Sequence, residues 1–127
     1  MKKILAVMCS FVCVLSMAVT VYAAGYASQS RYDVVQGVQC YSTFTLNGLA
    51  PGYYATSEVQ EGYSLSDVSV NGYVYREATG AKYNFHVTGS YQGTYAFAQD
   101  NYQLAVTHGV SYHHYADRTF NLYCDTR

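Results

Sequence analysis

The sequence predicts an all-β protein: a single antiparallel β-sandwich or small barrel of about seven to nine short strands, stapled by one disulfide. Three observations carry that expectation. Apolar and polar residues alternate from about residue 24 onward, with glycine-marked turns every 8–12 residues and no sustained helical period. Tyrosine, a favoured strand residue, occurs sixteen times, against one proline and no tryptophan. A chain of 127 residues has room for one domain and not two.

The elements follow in order. Residues 1–23 read as a secretory signal peptide that is removed, leaving 24–127 as a single exported β domain. Lys2 and Lys3 supply the positive start, an apolar run extends from Ile4 to about Val19, and Val21-Tyr22-Ala23 offers compact side chains for cleavage. A run of about 16 residues is short of the roughly 20 that span a bilayer. The expected product is therefore secreted and extracellular, with no membrane attachment. Cys9 and Cys13 leave with the leader.

Val38 to Leu46 alternates, with Cys40, Phe44 and Leu46 on one parity. A turn region follows from Asn47 to Gly52 and contains Pro51. Asp67 to Arg76 predicts a hairpin about Asn71-Gly72, since Asn-Gly readily takes positive φ at both turn positions. That register sets Val68 and Val70 on one apolar face with Tyr73 and Tyr75, and Asp67 opposite Arg76. A second hairpin is expected about Asp100-Asn101. A three-residue loop, Gly89-Ser90-Tyr91, would join it to the strand near Lys82–Thr88. The resulting meander buries Tyr83, Phe85, Val87, Tyr95, Phe97, Tyr102, Leu104 and Val106, and leaves His86, Thr94 and Thr107 on a flat polar face. Segments 110–115 and 118–125 close the chain, with Phe120, Leu122 and Cys124 on one parity.

Two cysteines remain beyond the leader, Cys40 and Cys124, and in an oxidising compartment a disulfide between them is the economical expectation. It would close a loop of about 85 residues, a constraint of roughly 4–5 kcal/mol. Ordinary core residues are few, so tyrosines are expected to fill much of the interior.

Charge excludes one class of partner. Residues 24–127 carry five basic and eight acidic side chains, net −3 and scattered, with no basic stripe for nucleic acid. Catalytic chemistry is sparse as well. His108, His113 and His114 cluster near Asp117, but neighbouring strand residues point to opposite faces. No metal site is expected, and His108 and His114 are the candidates should one form. There is no Gly-x-Ser-x-Gly elbow and no phosphate loop. Glu58 and Glu61 suggest a glycosidase pair only if a small domain can desolvate a cleft around them. The expectation is a protein that is not an enzyme and needs no cofactor.

Tyrosine in excess points instead to recognition, because the ring adds contact area at low entropic cost. Tyr53, Tyr54, Tyr112, Tyr115 and His113 are the candidate ligand-binding residues. The expected function is a secreted binding module for a cell-surface glycan or an extracellular protein. The alternatives are a secreted toxin or bacteriocin-like effector, suggested by size and export, and a small metal-dependent hydrolase using His108–His114.

Overall fold

The computed structural model describes residues 19–23, 25–47, 52–76, 80–100 and 106–127, and all regular structure among them is β-strand. Ten strands are described: β1 Val19–Ala23, β2 Tyr26–Val35, β3 Val38–Asn47, β4 Tyr53–Val59, β5 Ser69–Arg76, β6 Lys82–His86, β7 Gly89–Tyr91, β8 Tyr95–Gln99, β9 Val106–Tyr115 and β10 Arg118–Asp125. They form two antiparallel sheets, a six-stranded one in the order β1-β2-β3-β4-β8-β7 and a four-stranded one in the order β10-β9-β5-β6. The sheets pack face to face, β10 over β2 and β3, β9 over β3 and β4, and β5 over β4 and β8.

Period-2 alternation builds each layer. In β3, Val38, Cys40, Ser42, Phe44 and Leu46 point inward and are buried, while the residues between them face out. Ala27, Val35, Tyr53, Ala55, Ala96 and Ala98 extend that inner face, and Val70, Val74, Phe85, Leu122 and Cys124 meet it from the other sheet. Two tight turns hold the long strands in register. Gln36 and Gly37 both take positive φ, 52° and 77°, the type I′ geometry that matches strand twist. Ala116, with φ 57°, opens the turn that pairs Tyr115 with Arg118.

Several expectations are corrected. Asn71-Gly72 makes no turn; it lies inside β5, with Asn71 opposite both Tyr112 and His86. A β-carbon on Gly72 would sit 2.1 Å from the Val110 carbonyl oxygen and 2.8 Å from the Phe85 ring. The glycine is there for close approach of neighbours, which is glycine's other use within a strand. With no turn, Val70 and Val74 face the core while Tyr73 and Tyr75 face outward. Arg76 pairs with Asp100 and not with Asp67.

The meander also dissolves. β6 belongs to the four-stranded sheet, whereas Gly89-Ser90-Tyr91 is itself a strand, paired with β8 in the other. The turn moves on to Gln92 and Gly93, both with positive φ. Tyr95 and Phe97 therefore lie on an outer face. β8 and β9 sit in different sheets, so no hairpin joins them; Tyr102 and Leu104 lie outside the described residues, as do residues 1–18 of the leader and Pro51.

Cys40 and Cys124 are both buried and both free thiols, so the disulfide is not formed. Both cysteines lie on the inward parity of their strands, and it is position along the strand that separates them. The Cys124 thiol donates to the carbonyl of Phe44 at 3.3 Å. Phe44 is four residues along β3 from Cys40, a distance of roughly 13 Å. Burial pushes the thiols up, to about 11 for Cys40 and about 12 for Cys124, so neither is a ready nucleophile.

Candidate functional site

The residues expected to form one binding patch are distributed over three surfaces. Tyr53 is interior, its ring stacked on Phe85 with centroids 4.5 Å apart. Tyr54 lies on the outer face of the six-stranded sheet, where its hydroxyl meets that of Tyr95 at 2.9 Å. Tyr112 lies on the outer face of the four-stranded sheet. Tyr115 and His113 are wholly buried between the sheets, which corrects the expectation that they are available to a ligand.

The interior pair belongs to a polar seam through the sandwich. The Ser57 hydroxyl donates to the Ser69 carbonyl at 2.9 Å, so it must accept from His113 Nδ1, also at 2.9 Å. Nε2 is then the acceptor, taking the Ser111 hydroxyl at 2.7 Å. A neutral imidazole satisfies both contacts, and desolvation holds its pKa down at about 3, with His114 and Arg31 adding to the effect and the Thr56 carbonyl opposing it. The Tyr115 hydroxyl donates to the Tyr41 carbonyl at 2.9 Å and accepts from the Glu58 amide at 3.1 Å and from Ser42 at 2.9 Å. Desolvation raises this phenol well above the usual tyrosine range. A serine beside a histidine here is a closed structural network with no access for a substrate.

The outer face of the four-stranded sheet is different in kind. Cross-strand register lays its side chains out in rows: Asn121, Tyr112, Asn71 and His86; then Tyr123, Val110, Tyr73 and Asn84; then Asp125, His108, Tyr75 and Lys82. Tyr75 stacks on His108 with centroids 4.3 Å apart and meets Tyr73 edge-on at 5.8 Å. The Lys82 ammonium lies 4.3 Å from the Tyr73 ring centre. Desolvation, followed by the neighbouring Tyr112 and Tyr75, raises the Tyr73 phenol above its ordinary value.

Between these rings is a shallow basin of about 340 Å³, lined by Asn71, Gly72, Tyr73, Asn84, Phe85, His86 and Tyr112. Its volume is at the low end of those that hold small ligands. Sequence reasoning found Tyr112 and set Asn84 with His86 on a polar face, but missed Tyr73 and Asn71, because a turn at Asn71-Gly72 would have folded β5 in two. The signal that could have found them was the alternation Asn71, Tyr73, Tyr75 continuing unbroken through the glycine.

His108 and His114 share this face but stand six residues apart on β9, roughly 20 Å. His108 contacts Thr107 and Tyr75, and His114 contacts Thr119 at 2.8 Å. Among the described residues no group of three or more His, Cys, Asp or Glu side chains is placed to hold a metal ion. No protein-family model, curated protein or solved structure matches this chain.

Proposed function

We propose that this protein is a non-catalytic, exported binding module that takes a cell-surface glycan on the outer face of its four-stranded sheet. The observation that carries the reading is the basin edged by the Tyr73 and Tyr112 rings, with two carboxamides, Asn71 and Asn84, and the His86 imidazole converging on it. Sugars present apolar C–H faces to aromatic rings and hydroxyl pairs to amides, which donate and accept at once. A basin with aromatic surface and a few convergent polar groups meets both needs. Tyrosines held by cross-strand neighbours also lose little entropy on binding. Export, expected from residues 1–23, makes an extracellular glycan the natural source of such a ligand.

The test is co-sedimentation of the purified protein with intact bacterial cells, cell-wall fragments and insoluble polysaccharides. Saturable retention is expected on at least one of them, weakened about tenfold or more by Tyr112→Ala or Asn84→Ala, a loss of ~1.4 kcal/mol or more. Tyr63→Ala, an exposed tyrosine off both outer faces, should leave it unchanged. No retention on any material, or retention indifferent to Tyr112 and Asn84, overturns the reading.

A further inference from the structure

The opposite face of the sandwich carries a second arrangement, independent of the basin. Register aligns Tyr32 with Tyr41, Tyr41 with Glu58, Glu58 with Tyr95, and Tyr95 with Tyr91, one row across five adjacent strands. At about 4.8 Å per strand the row is roughly 19 Å long. Its rings pair on either side of the carboxylate: Tyr32 and Tyr41 stack with centroids 4.6 Å apart, and Tyr91 and Tyr95 lie 5.9 Å apart. Phe97, 5.8 Å from Tyr95, widens the aromatic surface. Where it crosses β2, β3 and β4 the row borders a cleft of about 200 Å³, lined among others by Tyr32, Tyr41, Glu58, Gln60 and Glu61.

Two features give this surface a chemical preference. Glu58 and Glu61 are exposed, and neither forms an ion pair with any described residue; the described ion pairs are Arg31–Asp33, Arg76–Asp100 and Arg127–Asp125. The backbone under the row is also held in place from beneath. The buried Tyr115 hydroxyl binds the Tyr41 carbonyl and the Glu58 amide, so the backbone that carries ring and carboxylate is fixed from the core side. A planar cation fits such a site, stacking on tyrosine while its N–H fork meets the carboxylate.

We propose that this row docks an arginine-bearing extended segment of a partner polypeptide, with a guanidinium against Tyr41 and paired to Glu58. The length of the row selects a polypeptide over a small amine, because roughly 19 Å matches about six extended residues and a lone cation would use one ring pair. Glu61, at the mouth of the cleft, adds a second carboxylate for a neighbouring arginine.

The probe is a blocked hexapeptide, Ser-Arg-Ser-Arg-Ser-Arg, titrated into the full chain and followed by amide chemical shifts. A second peptide replaces arginine with citrulline, which keeps the shape and removes the charge. Saturable shifts at Tyr41, Glu58 and Tyr95 are expected, with at least tenfold weaker binding for the citrulline peptide and for Glu58→Gln. Glu58 is exposed and Gln is isosteric with it, and the variant's unperturbed remaining amide spectrum verifies its fold. Tyr41→Ala should weaken binding similarly, and Tyr41→Phe, which keeps the ring, should restore most of it. Equal affinity for the citrulline peptide, full binding by Glu58→Gln, shifts confined to the other sheet, or no binding at millimolar peptide each overturn the proposal.

Discussion

At neutral pH the His113 imidazole has no room for a second proton. Its Nδ1–H is spent on Ser57, its Nε2 accepts from Ser111, and the ring is 0% exposed. Desolvation lowers its folded pKa to about 3, against an ordinary value of 6.5 in the unfolded chain. Between those two values the unfolded state binds a proton that the folded state refuses. Stability from this residue is therefore complete above pH 6.5 and is lost as pH falls towards 3, with a slope approaching ~1.4 kcal/mol per pH unit. Urea midpoints recorded at pH 7, 5.5 and 4.5 should fall steadily in the wild type. His113→Gln should flatten that profile, even if it lowers the value at pH 7. A wild-type midpoint that does not move across this range would refute the assignment.

At the level of elements, the two sheets are tied by an ion pair as well as by apolar packing. Arg76, at the end of β5, meets Asp100, just past β8, through two hydrogen bonds of 2.9 and 2.8 Å. Both side chains are almost fully buried, and Asp100 also accepts from the Gly52 amide at 3.1 Å and sends its own amide to the Tyr53 carbonyl. Removing one partner strands a buried charge, so Asp100→Ala should cost about 3–5 kcal/mol in urea unfolding. Arg76→Met combined with Asp100→Leu should cost clearly less than Asp100→Ala alone, because no charge is left uncompensated. Similar losses for the single and double variants would show that packing, and not charge, sets the penalty.

The same elements show what alternation can and cannot convey. The inward parities of β3 and β10 were legible, because each is a long run of alternation within one strand; β9 was not, since its start at Val106 reads as the second arm of a hairpin about Asp100-Asn101. The strand Lys82–His86 was legible as a strand, but not the sheet to which it belongs, since that choice is made by partners far away in sequence. Asn71-Gly72 carries the chemistry of a turn and also that of a close approach, and only the ring of Phe85 and the carbonyl of Val110 decide between them. Tyr115 was placed at the surface for a related reason: the carbonyl and serine that satisfy its hydroxyl lie in the other sheet, more than seventy residues away.

For the whole molecule, two layers of strands mean two outer faces separated by a shared core. The basin of Tyr73 and Tyr112 uses one face and the row of Tyr41 and Glu58 the other, with no side chain in common. Inner layers of packed sheets lie about 10 Å apart, and the outward side chains stand further from one another still. Sites at such separation, without shared partners, behave additively to within ~0.5 kcal/mol. If both proposed sites are correct, protein retained on a polysaccharide should still take up the arginine peptide, with an unchanged affinity. Glu58→Gln should weaken peptide uptake tenfold or more and leave retention intact, and Tyr112→Ala should do the reverse. Peptide that releases the protein from the polysaccharide would mean that one surface serves both ligands, and the two-faced reading would fail. Independent faces would make the chain a connector, able to hold a basic polypeptide at a glycan-coated surface without either ligand contacting the other.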